Sequence, residues 1–143
     1  MLKHIMIGID GSGPSRNAAR FGLSLAVQTG ARVTLLTVLQ PPEVIPVGPL
    51  SGYVVTHPRA VPVDAQKVQD MLDGIAAEFP NVEKVSMVEV GSAADTLCDV
   101  AAHQAVDLIV LGSRGLGPGR RFMLGSVSDR VVHHARCPVV VWR

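Results

Sequence analysis

Hydrophobic positions recur along this chain with two alternating periods, and that alternation predicts the elements. Leu2–Ile9 is a nearly continuous apolar run in which Ile5, Ile7 and Ile9 share a face, as expected of a buried strand. Asp10-Gly11-Ser12-Gly13-Pro14-Ser15 reads as a turn into a helix. In that helix Ala18, Phe21, Gly22, Leu25 and Ala26 fall at i, i+3, i+4, i+7 and i+8, one stripe at helical spacing. Thr29-Gly30 stops it, and Ala31–Leu39, rich in β-branched residues, is a second strand. From Pro41 to Pro62 the prolines at 41, 42, 46, 49, 58 and 62 predict an irregular excursion, either a lid or a variable loop.

The helical period returns from Val63, with Val68, Leu72, Ile75, Ala76 and Phe79, and ends near Pro80-Asn81. Val82–Val90 is a third strand of weak alternation. Ser92 is placed to cap a helix whose stripe is Ala94, Leu97, Cys98, Ala101 and Ala102. Val106–Leu111 is the fourth strand, Val127–Ala135 the fourth helix and Cys137–Trp142 the fifth strand. Strands and helices in strict alternation predict one α/β domain, a Rossmann-like five-stranded parallel sheet with helices on both faces. Such sheets bind ligands beyond the carboxyl ends of the strands, where the strand order reverses. Asp10–Ser15, Val38–Pro41 and Gly112–Ser126 all fall on that edge.

The third of these segments carries the most specific chemistry. Gly112-Ser113-Arg114-Gly115 is followed by nine residues and then Gly125-Ser126, between the fourth strand and the fourth helix. Glycines let backbone N–H groups approach an anion closely, and a helix N-terminus adds unpaired donors and a partial positive charge. The spacing therefore predicts a cradle for a phosphate chain. The plainer alternative is a set of loop glycines and a helix cap, with Ser126 as that cap.

Charge sharpens this picture. The net charge is +1, yet residues 114–143 hold six Arg against one Asp, while the preceding 113 hold seven basic against eleven acidic groups. Positive charge thus gathers around the glycine motif, which suits a small anionic ligand. With 3% aromatic residues the chain lacks the makings of a nucleic-acid surface. No apolar run reaches the length of a membrane span, and no signal peptide is expected from Met1–Asp10. Cys98 and Cys137, alone within apolar patterns, read as reduced, buried thiols of a cytoplasmic protein.

Several catalytic patterns are missing. There is no Gly-x4-Gly-Lys-Ser/Thr, Gly8, Gly11 and Gly13 have the wrong offsets for a dinucleotide fingerprint, and no Gly-x-Ser-x-Gly elbow occurs. His133, His134 and Cys137 read as helix-end and strand-start residues instead of zinc ligands. His57 and His103 are isolated. Asp10 is the one carboxylate at the predicted edge, and its plainer reading is a turn carboxylate. Without a general base, the motif argues for holding phosphate and not for cleaving it.

Taken together, Ile7-Gly8-Ile9-Asp10-Gly11-Ser12, Val90-Gly91-Ser92-Ala93, Asp107–Gly112, the complete Gly-x2-Gly-x9-Gly-Ser pattern and Pro138-Val139-Val140-Val141 resemble the universal stress protein family, in its ATP-binding branch. The resemblance spans 1–143 as one domain and implies an adenine nucleotide alpha-hydrolase-like fold. It implies phosphate and ribose contacts at Gly112, Gly115, Gly125 and Ser126, with backbone contacts from Arg114 and Val127. Ser128 would support the phosphate end, Asp10 would meet the ribose, and the main chain of Val38 would read the adenine edge. Thr37 stands where relatives often carry His, a departure expected to have little effect. The ligand implied is ATP, with or without Mg²⁺, or else AMP or a cyclic nucleotide. The function implied is a stress-response or signalling module acting on an unknown protein partner. Two other readings stand beside it: a slow ATPase or phosphotransferase, and a dimerising module without nucleotide. A homodimer through the apolar last strand, Val139, Val140 and Val141, is implied as well.

Overall fold

The computed structural model describes residues 1–41, 43–46, 53–56, 65–113 and 124–143. Its elements, in chain order, are β1 (His4–Gly8), α1 (Gly13–Thr29), β2 (Arg32–Leu39), β3 (Glu43–Pro46), β4 (Tyr53–Thr56), α2 (Ala65–Ala77), β5 (Lys84–Val90), α3 (Ala93–His103), β6 (Leu108–Gly112), α4 (Ser126–His134) and β7 (Val139–Trp142). Five strands form one parallel sheet in the order β5-β2-β1-β6-β7. The chain steps outward from β1 to β2 and β5, then crosses back to β6 and β7. The order therefore reverses between β1 and β6, as the predicted alternation requires.

Two cores sandwich the sheet. Ile5, Ile7 and Ile9 of the β1 segment, Leu23 of α1, Leu35 of β2 and Leu72 of α2 lie in the first. Met6, Leu36, Leu97 of α3, Ile109 of β6 and Val131 of α4 lie in the second. Because both faces of β1 and β6 are covered, their sequences are nearly continuous apolar runs. Each fully buried Ile or Leu contributes about 1.5–3 kcal/mol through removal from water. Phe21 stacks on Trp142 at 4.7 Å and joins α1 to β7.

Two expectations are corrected. The stretch 41–62 is not wholly irregular, since β3 and β4 pair antiparallel from Glu43↔Thr56 to Pro46↔Tyr53. Val44, Ile45, Val54 and Val55 favour extended backbone, while Pro46 sits at a strand end, where a missing N–H is tolerated. The helix after the glycine motif begins at Ser126, and its N-cap is Gly125, so Ser126 is not the cap. Ser92 does cap α3 in position but makes no side-chain bond there.

At the amino edge of the sheet, His4 is buried, with Nε2 2.9 Å from Thr34 Oγ1 and Nδ1 3.2 Å from both the Arg32 guanidinium and the Gln104 carbonyl. The Thr34 hydroxyl donates to Gln104 Oε1 at 3.0 Å. Burial pushes the His4 pKa down and Arg32 adds to this, against the Gln104 carbonyl and Asp107. The unfolded chain then binds more protons than the folded one below the ordinary value of 6.5. The His4 contribution is complete above that pH and is lost as the pH falls from it through the lowered folded value. Urea midpoints measured from pH 7.5 to 5 should fall on acidification, and less steeply in His4→Gln.

Candidate functional site

The site is assembled at the carboxyl edge of the sheet, around the reversal between β1 and β6. Beyond β1 the chain turns sharply. Asp10 Oδ1 accepts from the Ser12 amide at 2.9 Å and from the Ser12 hydroxyl at 2.6 Å. The Ser12 hydroxyl in turn caps α1 by accepting from the Ser15 amide at 3.3 Å. Asp10 is exposed at the sheet edge, and both of its side-chain bonds fall on one oxygen. The turn role and a ligand role are thus compatible, because Oδ2 takes no hydrogen bond among the described residues.

Gly112 ends β6 directly against the start of α1. A Cβ there would stand 2.7 Å from the Ser15 amide nitrogen and 2.8 Å from the Pro14 carbonyl carbon. Glycine at 112 is therefore demanded by packing between β6 and α1. The next residue ties the edge together. Ser113 N–H donates to the Trp142 carbonyl at 2.7 Å, while its own carbonyl accepts from the Gly125 amide at 2.8 Å and the Ser128 hydroxyl at 3.3 Å. One peptide segment thus links β6, β7 and α4. Sequence reasoning passed over Ser113, and its only signal was its place between two motif glycines.

α4 opens at this junction. Its N-cap, Gly125, has no side chain to offer, so among the described residues no capping side chain engages the amides of Ser126, Val127 and Ser128. Ser128 is buried and its hydroxyl points back to the Gly125 and Ser113 carbonyls. Its part is to hold the turn. Unlike α1, which caps itself with Ser12, α4 has no side-chain cap among the described residues, and its N-terminus carries a partial positive charge. Arg114 and Gly115 lie outside the described residues.

On the other flank of β1, Val38 completes the edge. Even-numbered residues of β2 turn their N–H and C=O groups toward β1, as shown by the bonds from Arg32 N to Lys3 O and from Ile9 N to Leu36 O. Val38 shares that direction, but the β1–β2 pairing ends at Gly8↔Leu36. Its peptide groups face the gap where the chain has turned away at Asp10. The structure thus brings Asp10, Val38, Gly112, Gly125, Ser126, Val127 and Ser128 to one edge.

The universal stress protein family model matches residues 1–143. The chain belongs to the universal stress protein family. A universal stress protein of Methanocaldococcus jannaschii is 29% identical over 99% of this chain and 82% of its own length. Among solved structures, the universal stress protein UspA from Lactobacillus plantarum superposes with a TM-score of 0.75 at 26% identity, covering 99% of this chain and 98% of that one. A universal stress protein in complex with cAMP superposes with a TM-score of 0.73 at 20% identity, covering 99% and 97%. These likenesses extend over the five-stranded parallel sheet and its helices.

Other groups in this family member are placed away from that edge chemistry. Cys98 and Cys137 are free and half-buried, and burial pushes both thiols up. His133 and His134 are exposed, each with Nδ1 bonded to the carbonyl four residues back. Among the described residues no three metal-ligating side chains gather, and no helix is long and apolar enough to cross a membrane.

Proposed function

We propose that this protein binds an adenine nucleotide across the β1–β6 edge and serves as a stress-response module whose partner affinity changes with the ligand. The reading is carried by one juxtaposition: an unladdered peptide at Val38 on one flank of β1 and the uncapped start of α4 on the other. Adenine offers an acceptor at N1 beside a donor at N6, which an amide N–H and a carbonyl can meet. The α4 amides suit the phosphates, and Asp10 lies between as an acceptor for a ribose hydroxyl. The fold likeness to a protein holding cAMP supports adenine as the base.

ATP, AMP and a cyclic nucleotide share the groups this edge would recognise, so phosphate number is left to titration. Mg²⁺ would act as counter-charge on the phosphates. The free thiols accord with a cytoplasmic setting. Calorimetric titration with ATP, AMP and cAMP, with and without Mg²⁺, should show saturable binding, with GTP weaker. No heat with any adenine nucleotide would overturn the reading.

The edge strand favours self-association within the same proposal. Among the described residues β7 has a partner only in β6, so its outer side would be open to a second copy, with Val139, Val140 and Val141 half-buried. Light scattering should report a dimer that Val140→Lys dissociates without unfolding.

A further inference from the structure

The β1–β2 ladder stops one bond short of where its geometry would carry it, and a side chain bonds the carbonyl left over. Its hydrogen bonds alternate regularly, with Arg32 N–H on the Lys3 carbonyl at one end and Ile9 N–H on the Leu36 carbonyl, 2.9 Å, at the other. The following bond in a parallel ladder would run from Val38 N–H to the Ile9 carbonyl. It is not made. The Ile9 carbonyl instead accepts from the Thr37 hydroxyl at 2.8 Å. Thr37 is 5% exposed and Ile9 3%, so that carbonyl sits where an unmet acceptor is costly. Thr37's own peptide faces β5, as do its odd-numbered neighbours, with Val33 N–H on Glu83 and Gly91 N–H on Leu39.

We infer that Thr37 is a positioning residue for base recognition: its hydroxyl satisfies Ile9 in place of the ladder and so keeps the Val38 amide available to a ligand. This rests on the proposed adenine-nucleotide reading and adds a determinant to it. The bare amide of Val38 is a consequence of one buried hydroxyl, so a residue that never touches the nucleotide sets whether the base finds its donor.

The test removes the hydroxyl at constant shape. In Thr37→Val the Ile9 carbonyl should be reclaimed by Val38 N–H. Adenine-nucleotide affinity should then fall roughly tenfold, the worth of one hydrogen bond, with the unfolding midpoint little changed. Thr37→Ser should restore affinity. Amide hydrogen exchange gives a readout that needs no ligand. The Val38 amide should exchange freely in the unliganded wild type and in Thr37→Ser, and become protected in Thr37→Val. Protection of Val38 in the unliganded wild type would overturn the inference, as would unchanged affinity and exchange in Thr37→Val. If Thr37→Val fails to fold, the inference stands or falls on the Val38 exchange of the wild type and Thr37→Ser. Failure of the wild type to bind any adenine nucleotide would sink the functional reading, while the exchange data would still decide how Thr37 acts on the ladder.

Discussion

Gly112→Ala is expected to destabilise the protein by about 3 kcal/mol, at the upper end of ordinary overpacking. The added methyl would stand 2.7 Å from Ser15 N, 2.8 Å from Pro14 C and 3.0 Å from Ser15 Cα. All three are backbone atoms, so no rotamer change can relieve the contact. Relief requires α1 to move off β6, and the first turn of α1 is fastened by Ser12, which Asp10 holds in turn. The strain should thus spread into the Asp10 turn and weaken nucleotide binding as well. Urea denaturation at constant slope measures the first effect, and calorimetry of the folded fraction the second. A shift below about 1 kcal/mol would mean that α1 yields easily and that close packing is not what Gly112 secures.

This glycine marks how far the sequence could be read. The Gly-x2-Gly-x9-Gly-Ser spacing singles out Gly112 and suggests an anion as the reason for its missing side chain. The backbone occupying that space belongs to a helix almost a hundred residues earlier, and such a tertiary contact leaves no periodicity in a pattern. Elements buried on both faces were legible for the opposite reason. β1 and β6 declare themselves as nearly continuous apolar runs and β2 as a stretch rich in β-branched residues, and their alternation with helical stripes determined the sheet and its carboxyl edge. The β3–β4 hairpin was hidden because its prolines mask four-residue strands that belong to no core run. Val38 could be placed at the edge by its position in β2, but its freedom from the ladder depends on a bond between Thr37 and Ile9. That bond exists only once two strands are side by side.

The second large effect is expected at Asp10, where two roles must be separated. Asp10→Ala should lower adenine-nucleotide affinity by about 10- to 100-fold, the range for a hydrogen bond to a charged group. It should also cost about 1 kcal/mol of stability, because the Ser12 amide and hydroxyl lose their common acceptor. Asp10→Asn keeps an oxygen for Ser12 and should keep most of the stability, yet it replaces the second carboxylate oxygen with a donor. If Asp10 meets the ribose directly, its removal and the removal of the ribose hydroxyls from the ligand delete the same interaction. Asp10→Ala should then bind a 2′,3′-dideoxy nucleotide nearly as well as the wild type does, a non-additivity that only contacting groups show. If the two losses instead add in full, Asp10 acts through the turn alone and the ribose is held elsewhere along the edge.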